Sequence, residues 1–276
     1  MTRPLRIDFV SDVVCPWCVV GLRSLQRALV AIGAEVEVDL HFQPFELNPD
    51  MPPEGENTTE HVIKKYGSNA ERSAASRNVL KEHGEALGFT FNYGPASRIW
   101  NTFDAHRLLH WAELERKQLA LKEALFKAYF TDQLSASDHD VLASAAKTAG
   151  LDEKRARGVL ASGEFGEDVR RDEMLWRNRG INAVPSVIFN QRWMIQGGAA
   201  AAGFRTIDPA DHFWRGGSRY GVRNNVRSRA RRFASACITT PFMRFHNRKA
   251  LAAPGRSSSL MRFTIDDPRV LPLPTL

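Results

Sequence analysis

The chain has 276 residues, of which 43% are hydrophobic and 25% charged, proportions that exclude disorder for most of the chain and allow one large domain or two small ones. The formal charge of +7 and a pI near 9.6 would suggest a polyanionic partner, but residues 199–276 carry 14 Lys and Arg against 4 Asp and Glu, while the first 198 residues carry 24 against 27. The body is therefore mildly acidic and the excess positive charge belongs to a tail. Three cysteines, Cys15, Cys18 and Cys237, are too few for a disulfide-built secreted scaffold.

Leu5, Ile7 and Phe9 alternate with Arg6 and Asp8, which predicts a strand over 5–10. Directly after the tetrapeptide Cys15-Pro16-Trp17-Cys18, apolar residues recur at Cys18, Leu22, Leu25, Leu29 and Ile32, one face of a helix that Gly33 ends. Val36, Val38, Leu40 and Phe42 alternate with charged or polar neighbours, predicting a half-buried strand before a Pro-rich turn at 48–53. The first part thus reads β-α-β over 1–57. From 58 to 180 the composition turns to strong helix formers. Trp100, Phe103, Arg107 and Trp111 mark one helix and Leu121, Ala124, Leu125, Ala128 and Tyr129 another. Ser137-Asp138-His139-Asp140 reads as an N-cap segment with an acidic third residue, Asp152 and Gly163 bracket a further helix, and the last runs from about Phe165 through Val169 to Trp176, with basic Arg177 and Arg179 before Gly180 suiting its C-terminus. Val184-Pro185-Ser186-Val187-Ile188-Phe189 and Trp193-Met194-Ile195 flank a polar turn, predicting a β-hairpin over 181–198. The order defines an α/β domain split by a helical insertion. Its first residues lack the pattern of a secretory leader, and nothing approaches the roughly 18 apolar residues of a spanning helix, so a cytoplasmic location without membrane association is expected.

The chemistry is concentrated at the start of the first helix. A cysteine there meets free backbone N–H groups and the positive end of the helix dipole, which favour thiolate over thiol. Cys15 is thus placed to be reactive, and Cys18, one turn on and at the head of the apolar stripe, to be the more buried thiol that closes or resolves a disulfide. Pro16 suits the first turn because its missing donor would have no partner there. Two alternatives stay open from the residues alone: a zinc site, which would need two further ligands that no second Cys-x-x-Cys supplies, and a pair of buried structural cysteines.

Three phrases in order, residues 11–18 (Ser-Asp-Val-Val-Cys-Pro-Trp-Cys), 44–50 (Pro-Phe-Glu-Leu-Asn-Pro-Asp) and 101–108 (Asn-Thr-Phe-Asp-Ala-His-Arg-Leu), with Val184-Pro185 before a later strand, resemble the DsbA family of thioredoxin-fold oxidoreductases. More narrowly they are similar to its FrnE-like and 2-hydroxychromene-2-carboxylate isomerase branch, over residues 5–198. The resemblance implies a thioredoxin fold with an inserted helical domain and thiol–disulfide exchange with protein or small-molecule thiols and disulfides. It implies Cys15 as the attacking thiolate, Cys18 as the resolving thiol, and Pro185 as a cis-proline facing them, with Pro16, Trp17, Val184 and Pro185 contacting substrate. An ordinary trans proline at 185 is the plain alternative. No resident cofactor or metal is implied. Glutathione is a candidate co-substrate, and a glutathione-dependent isomerase or transferase is the second reading, although such relatives usually carry Ser where this chain has Cys15. Asp8 is either a buried acid beneath the disulfide, one residue off the spacing expected of that role, or a surface strand residue.

Other signals are weaker. His106, His110 and Glu113 fall on one helix face at metal-ligand spacing, which helices with several histidines often show by coincidence. Trp100, Phe103 and Trp111 form an aromatic stripe, either cleft lining or core. After Gly198 the family wording and the amphipathic pattern both stop, and the tail holds 13 Arg and one Lys. A shifted reading frame, a disordered extension and an RNA- or membrane-binding appendage are the three explanations. The first is favoured, and nucleic acid is not expected as a partner. Oligomeric state and the direction of exchange are not encoded in any of these patterns.

Overall fold

A computed structural model describes residues 3–197 and, as backbone, 270–272; Cys237 and most of the arginine-rich tail lie outside the described residues. Strand β1 (Arg3–Ser11) pairs in parallel with β2 (Val36–Pro44), and parallel neighbours need a crossover, here helix α1 (Pro16–Ile32). On its other side β1 pairs antiparallel with β5 (Ser186–Phe189), which turns through 190–192 into β6 (Trp193–Gln196). Asn190 and Gln191 adopt positive φ in that turn. Asn190 also accepts the Arg6 backbone N–H and donates its own to the Arg6 carbonyl, both within 3 Å, which fixes the hairpin's register on β1. The tail is not wholly irregular: Val270–Pro272 forms β7, antiparallel to β6, and completes the sheet order β2-β1-β5-β6-β7. As an edge strand it tolerates a proline that a central strand would not.

Between β2 and β5 the chain is mostly helical. α2 (Thr58–Tyr66) and α3 (Ala70–Ala86) come first, and a two-stranded ribbon not foreseen from the sequence, β3 (Glu56–Asn57) with β4 (Arg98–Ile99), ties the start of this region to its middle. α4 (Phe103–Leu114) and α5 (Gln118–Phe126) follow, the latter continuing as a π turn over Lys127–Thr131. α6 (His139–Thr148), α7 (Glu153–Ser162) and α8 (Gly166–Asn178) complete the set. Asp138 and Asp152 cap α6 and α7 through side-chain oxygens that accept first-turn N–H groups, and Gly163 closes α7 in the left-handed conformation that favours glycine.

Two burial expectations are corrected. β1 is covered on both faces, so Asp8 and Val10 are buried along with Ile7 and Phe9; a central strand between helical layers loses the one-sided pattern. β2 shows the reverse. Of its four alternating apolar residues only Phe42 is buried and Val38 is exposed, because β2 is an edge strand covered by α4, α5 and α8 near its C-terminal half. No helix among the described residues is long and apolar enough to cross a membrane.

Candidate active site

Cys15 is the N-cap of α1 in extended conformation, with Pro16 at the first helical position. Its carbonyl accepts the Cys18 N–H at 3.0 Å and its own N–H reaches the Asp12 carbonyl, a tight turn that brings both sulfurs to the head of the helix. The two are free thiols. Cys18 is fully buried and Cys15 is 4% exposed, so of these two cysteines the one at the helix start is the more accessible. The Cys15 thiol takes no first-turn N–H; it donates across the cleft to the Val184 carbonyl at 3.7 Å. The Val184–Pro185 bond is cis. Ser186 Oγ donates to the Ala183 carbonyl at 2.8 Å, and the Pro185 carbonyl accepts the Gly197 N–H at 2.7 Å, tying that loop to itself and to the end of β6.

Gly21 explains how close the two segments come. A Cβ at this position would lie 3.0 Å from Pro185 Cγ and 3.6 Å from Phe9 Cζ, so the helix touches the proline ring through bare backbone. Trp17 is half-buried and packs edge-on against His83 of α3 at 5.6 Å. Pro16 is half-buried beside it. The predicted residues 15–18 and 184–185 therefore share one cleft, while Trp17 also leans on the helical insertion.

The three phrases of the sequence meet at Asp12. Its carboxylate, fully buried, accepts the Leu47 N–H at 2.7 Å and the Val14 N–H at 3.4 Å, and stands 3.6 Å from His106 Nε2. Burial pushes the Asp12 carboxyl up, but His106, the Leu47 N–H and Lys122 together hold it below the usual carboxylate range. One residue from Leu47, buried Glu46 is paired with Arg170 and offers its N–H to Glu173 Oε1 at 2.9 Å. Burial first, then Glu173, raises the Glu46 carboxyl.

Asp8 fits neither sequence expectation. It is fully buried, but it accepts two hydrogen bonds from Arg6 and one from Gln43 Nε2. Strand alternation places it on the sheet face opposite Phe9, which is the residue that meets α1. A buried ionisable group that sequence reasoning missed is Lys122 of α5. It is fully buried, its Nζ has no hydrogen-bond partner, and it sits 5.1 Å from the Phe126 ring and 5.9 Å from Phe42. The signal available was its place between Gln118 and Phe126, four residues to either side, on a second inward stripe of the same helix.

The helix-face histidines go to different partners: His106 to Asp12, His110 to Asp172 at 3.7 Å, and Glu113 to His41 at 2.6 Å. Among the described residues no group of three or more His, Cys, Asp and Glu side chains is arranged around a common point for a metal. The aromatic stripe also disperses. Trp111 is core, Phe103 carries the Arg170 guanidinium at 3.9 Å, and Trp100, outside α4, closes over Gly55. Trp100 lines a cavity of about 160 Å³ with Tyr93, Ser97, Arg98, Tyr129 and Gln133. Tyr93 is within electrostatic reach of Cys15. Burial, then Tyr129 and Cys15, push its phenol well above the ordinary value.

A sheet of mixed direction with the α1 crossover, a Cys-x-x-Cys at the helix start and a cis-proline loop opposite it define a thioredoxin-fold domain. The DSBA-like thioredoxin domain family matches residues 6–206, and the chain belongs to that family. A crystal structure described as a probable DsbA oxidoreductase from Streptomyces coelicolor is 30% identical with a TM-score of 0.68, over 72% of this chain and 86% of that one. An uncharacterised protein of Bacillus subtilis, YwbO, is 27% identical over 67% of this chain and 86% of its own length. The structure of a 2-hydroxychromene-2-carboxylate isomerase shares the fold at 14% identity, TM-score 0.54, over 73% of this chain and 93% of that one. The family's structural neighbours are thus oxidoreductases and an isomerase.

Proposed function

We propose that the protein is a thiol–disulfide oxidoreductase in which Cys15 attacks substrate disulfides and Cys18 resolves the mixed disulfide, acting on protein or small-molecule thiols in the cytoplasm. The observation that carries this reading is the Cys15 thiol, at the head of α1, bonded across the cleft to the Val184 carbonyl with a fully buried second thiol one turn behind it. In this reading the backbone at Val184 pairs with an extended substrate, Pro185 walls the cleft, and Pro16 and Trp17 form its near side. Glutathione serves as a small-thiol partner, and no resident cofactor takes part.

Cys15→Ser is expected to abolish reduction of insulin disulfides and reshuffling of a scrambled-disulfide substrate, and unchanged rates in that variant overturn the proposal. Cys18→Ser should still react once and then accumulate a mixed disulfide, detectable by mass. An isomerase or transferase of the glutathione-dependent kind would instead bind glutathione tightly and show no dithiol chemistry.

A further inference from the structure

Trp17 stands between the two thiols of α1, and its ring leans on one residue of the helical insertion. The indole is half-buried and meets the His83 ring edge-on, with centroids 5.6 Å apart and planes at 63°, inside the range that aromatic pairs favour. Among the described residues it has no second ring contact, and its N–H has no acceptor. Its own helix adds little support, because the residue one turn on, Gly21, offers it no side chain.

His83 is placed in a complementary way. It is exposed on the last turn of α3, and among the described residues its ring has neither a hydrogen bond nor an ion pair. That turn of α3 is fixed on two sides. Arg27 Nη1 of α1 donates to the Ala86 carbonyl at 3.1 Å. At Gly84 an added Cβ would fall 2.5 Å from the Phe89 carbonyl oxygen and 2.7 Å from Phe91 Cδ2, so the helix end rests on residues 89–91 through bare backbone. His83 therefore meets Trp17 from a rigid seat.

We propose that His83 is a positioning residue that sets specificity: it pins the Trp17 indole as a fixed wall of the Cys15 cleft, favouring polypeptide disulfides over small ones. The inference rests on the dithiol reading of the site given above and adds no step to the exchange. An extended polypeptide paired with the backbone at Val184 spans the cleft to its near side, where it lies on the indole and meets the free N–H as a donor. A small disulfide reaches the Cys15 sulfur and touches little of that wall. A ring already held in one rotamer loses no further freedom when substrate arrives, whereas an unpinned ring must be ordered at the expense of binding. The effect of His83 therefore falls on binding and not on attack by either thiol.

The test follows oxidation of the reduced protein in a single turnover, against rising concentrations of oxidised insulin or of hydroxyethyl disulfide. His83→Ala should raise the insulin concentration for half-maximal rate by about three- to tenfold, while the maximal rate and the rate with hydroxyethyl disulfide stay within about twofold. His83→Phe, which keeps a ring against Trp17, should restore the wild-type insulin curve. The chain has six tryptophans, so the Trp17 signal is taken as the difference in emission between each protein and its Trp17→Phe counterpart. That signal should be more accessible to acrylamide in His83→Ala and as shielded as in the wild type in His83→Phe. The inference is overturned if His83→Ala keeps the wild-type insulin curve, if it slows both disulfides alike, or if His83→Phe fails to restore that curve. A wild-type protein that exchanges with neither disulfide would overturn the dithiol reading itself, and this inference with it.

Discussion

Asp12 ties together three stretches of chain that are distant in sequence, the Cys15 turn, the loop at Leu47 and α4 through His106. Because its folded carboxyl is held below the unfolded value, its contribution is fully present above the unfolded pKa of roughly 3.9. It is lost as pH falls through the folded value. Asp12→Asn removes the charge that His106 and Lys122 face, and breaking a buried pair in this way costs about 3 kcal/mol. Denaturant melts should show that loss at pH 7, shrinking as both proteins are taken below pH 4; a loss equal at every pH would mean that the hydrogen bonds and not the charge are responsible. Asp12 was visible in the sequence as part of a phrase, and His106 as part of a candidate metal face. Neither local pattern contained the pairing, which depends on α4 folding back over the sheet.

Helix α1 is where sequence and site agree most closely, and Gly21 is where the sequence was silent. The apolar stripe is buried at Cys18, Leu22 and Leu25, but Val19, Val20 and Gly21 are buried too, since the stretch from Cys18 to Leu22 is enclosed on every side. Alanine in a helix interior is ordinarily better than glycine by roughly 0.5–1 kcal/mol. At position 21 the added Cβ meets the Pro185 ring at 3.0 Å, and overpacking of that kind costs about 1–3 kcal/mol. Gly21→Ala should therefore lower stability by about 1 kcal/mol net and slow exchange at Cys15 by pushing the Val184–Pro185 loop from the helix. A variant as active and at least as stable as the wild type would show that the loop yields freely. On β2, alternation named the right residues and the wrong burial, because a period of two reports which side chains share a face and not whether a helix covers it.

At the scale of the molecule, the excess positive charge lies beyond the site. Cys15, Cys18, Val184, Pro185 and Lys122 all precede residue 198, and of the tail only β7 is described, paired at three positions to β6. A chain ending at residue 197 should therefore keep its rate of insulin-disulfide reduction within about twofold, while the exposed edge of β6 lowers solubility. Loss of that activity on truncation would place part of the tail in the site. The shifted-frame explanation of the tail has its own check: the next reading frame past codon 198 should encode an amphipathic helix, and its absence would exclude that explanation.

The sequence by itself determined the element order, the dithiol at a helix start, helix starts near residues 137–140 and at Asp152 and the hairpin after Pro185, because each depends on contacts within a few residues or on a period along one element. Only the tertiary structure decided which face of β1 holds Asp8, that β2 is a half-covered edge, that Asp12 gathers three distant segments, and that a lysine of the insertion lies fully buried. Those outcomes depend on which layers pack against which, and the free energy of a buried charge or a close backbone approach exists only once both partners are in place.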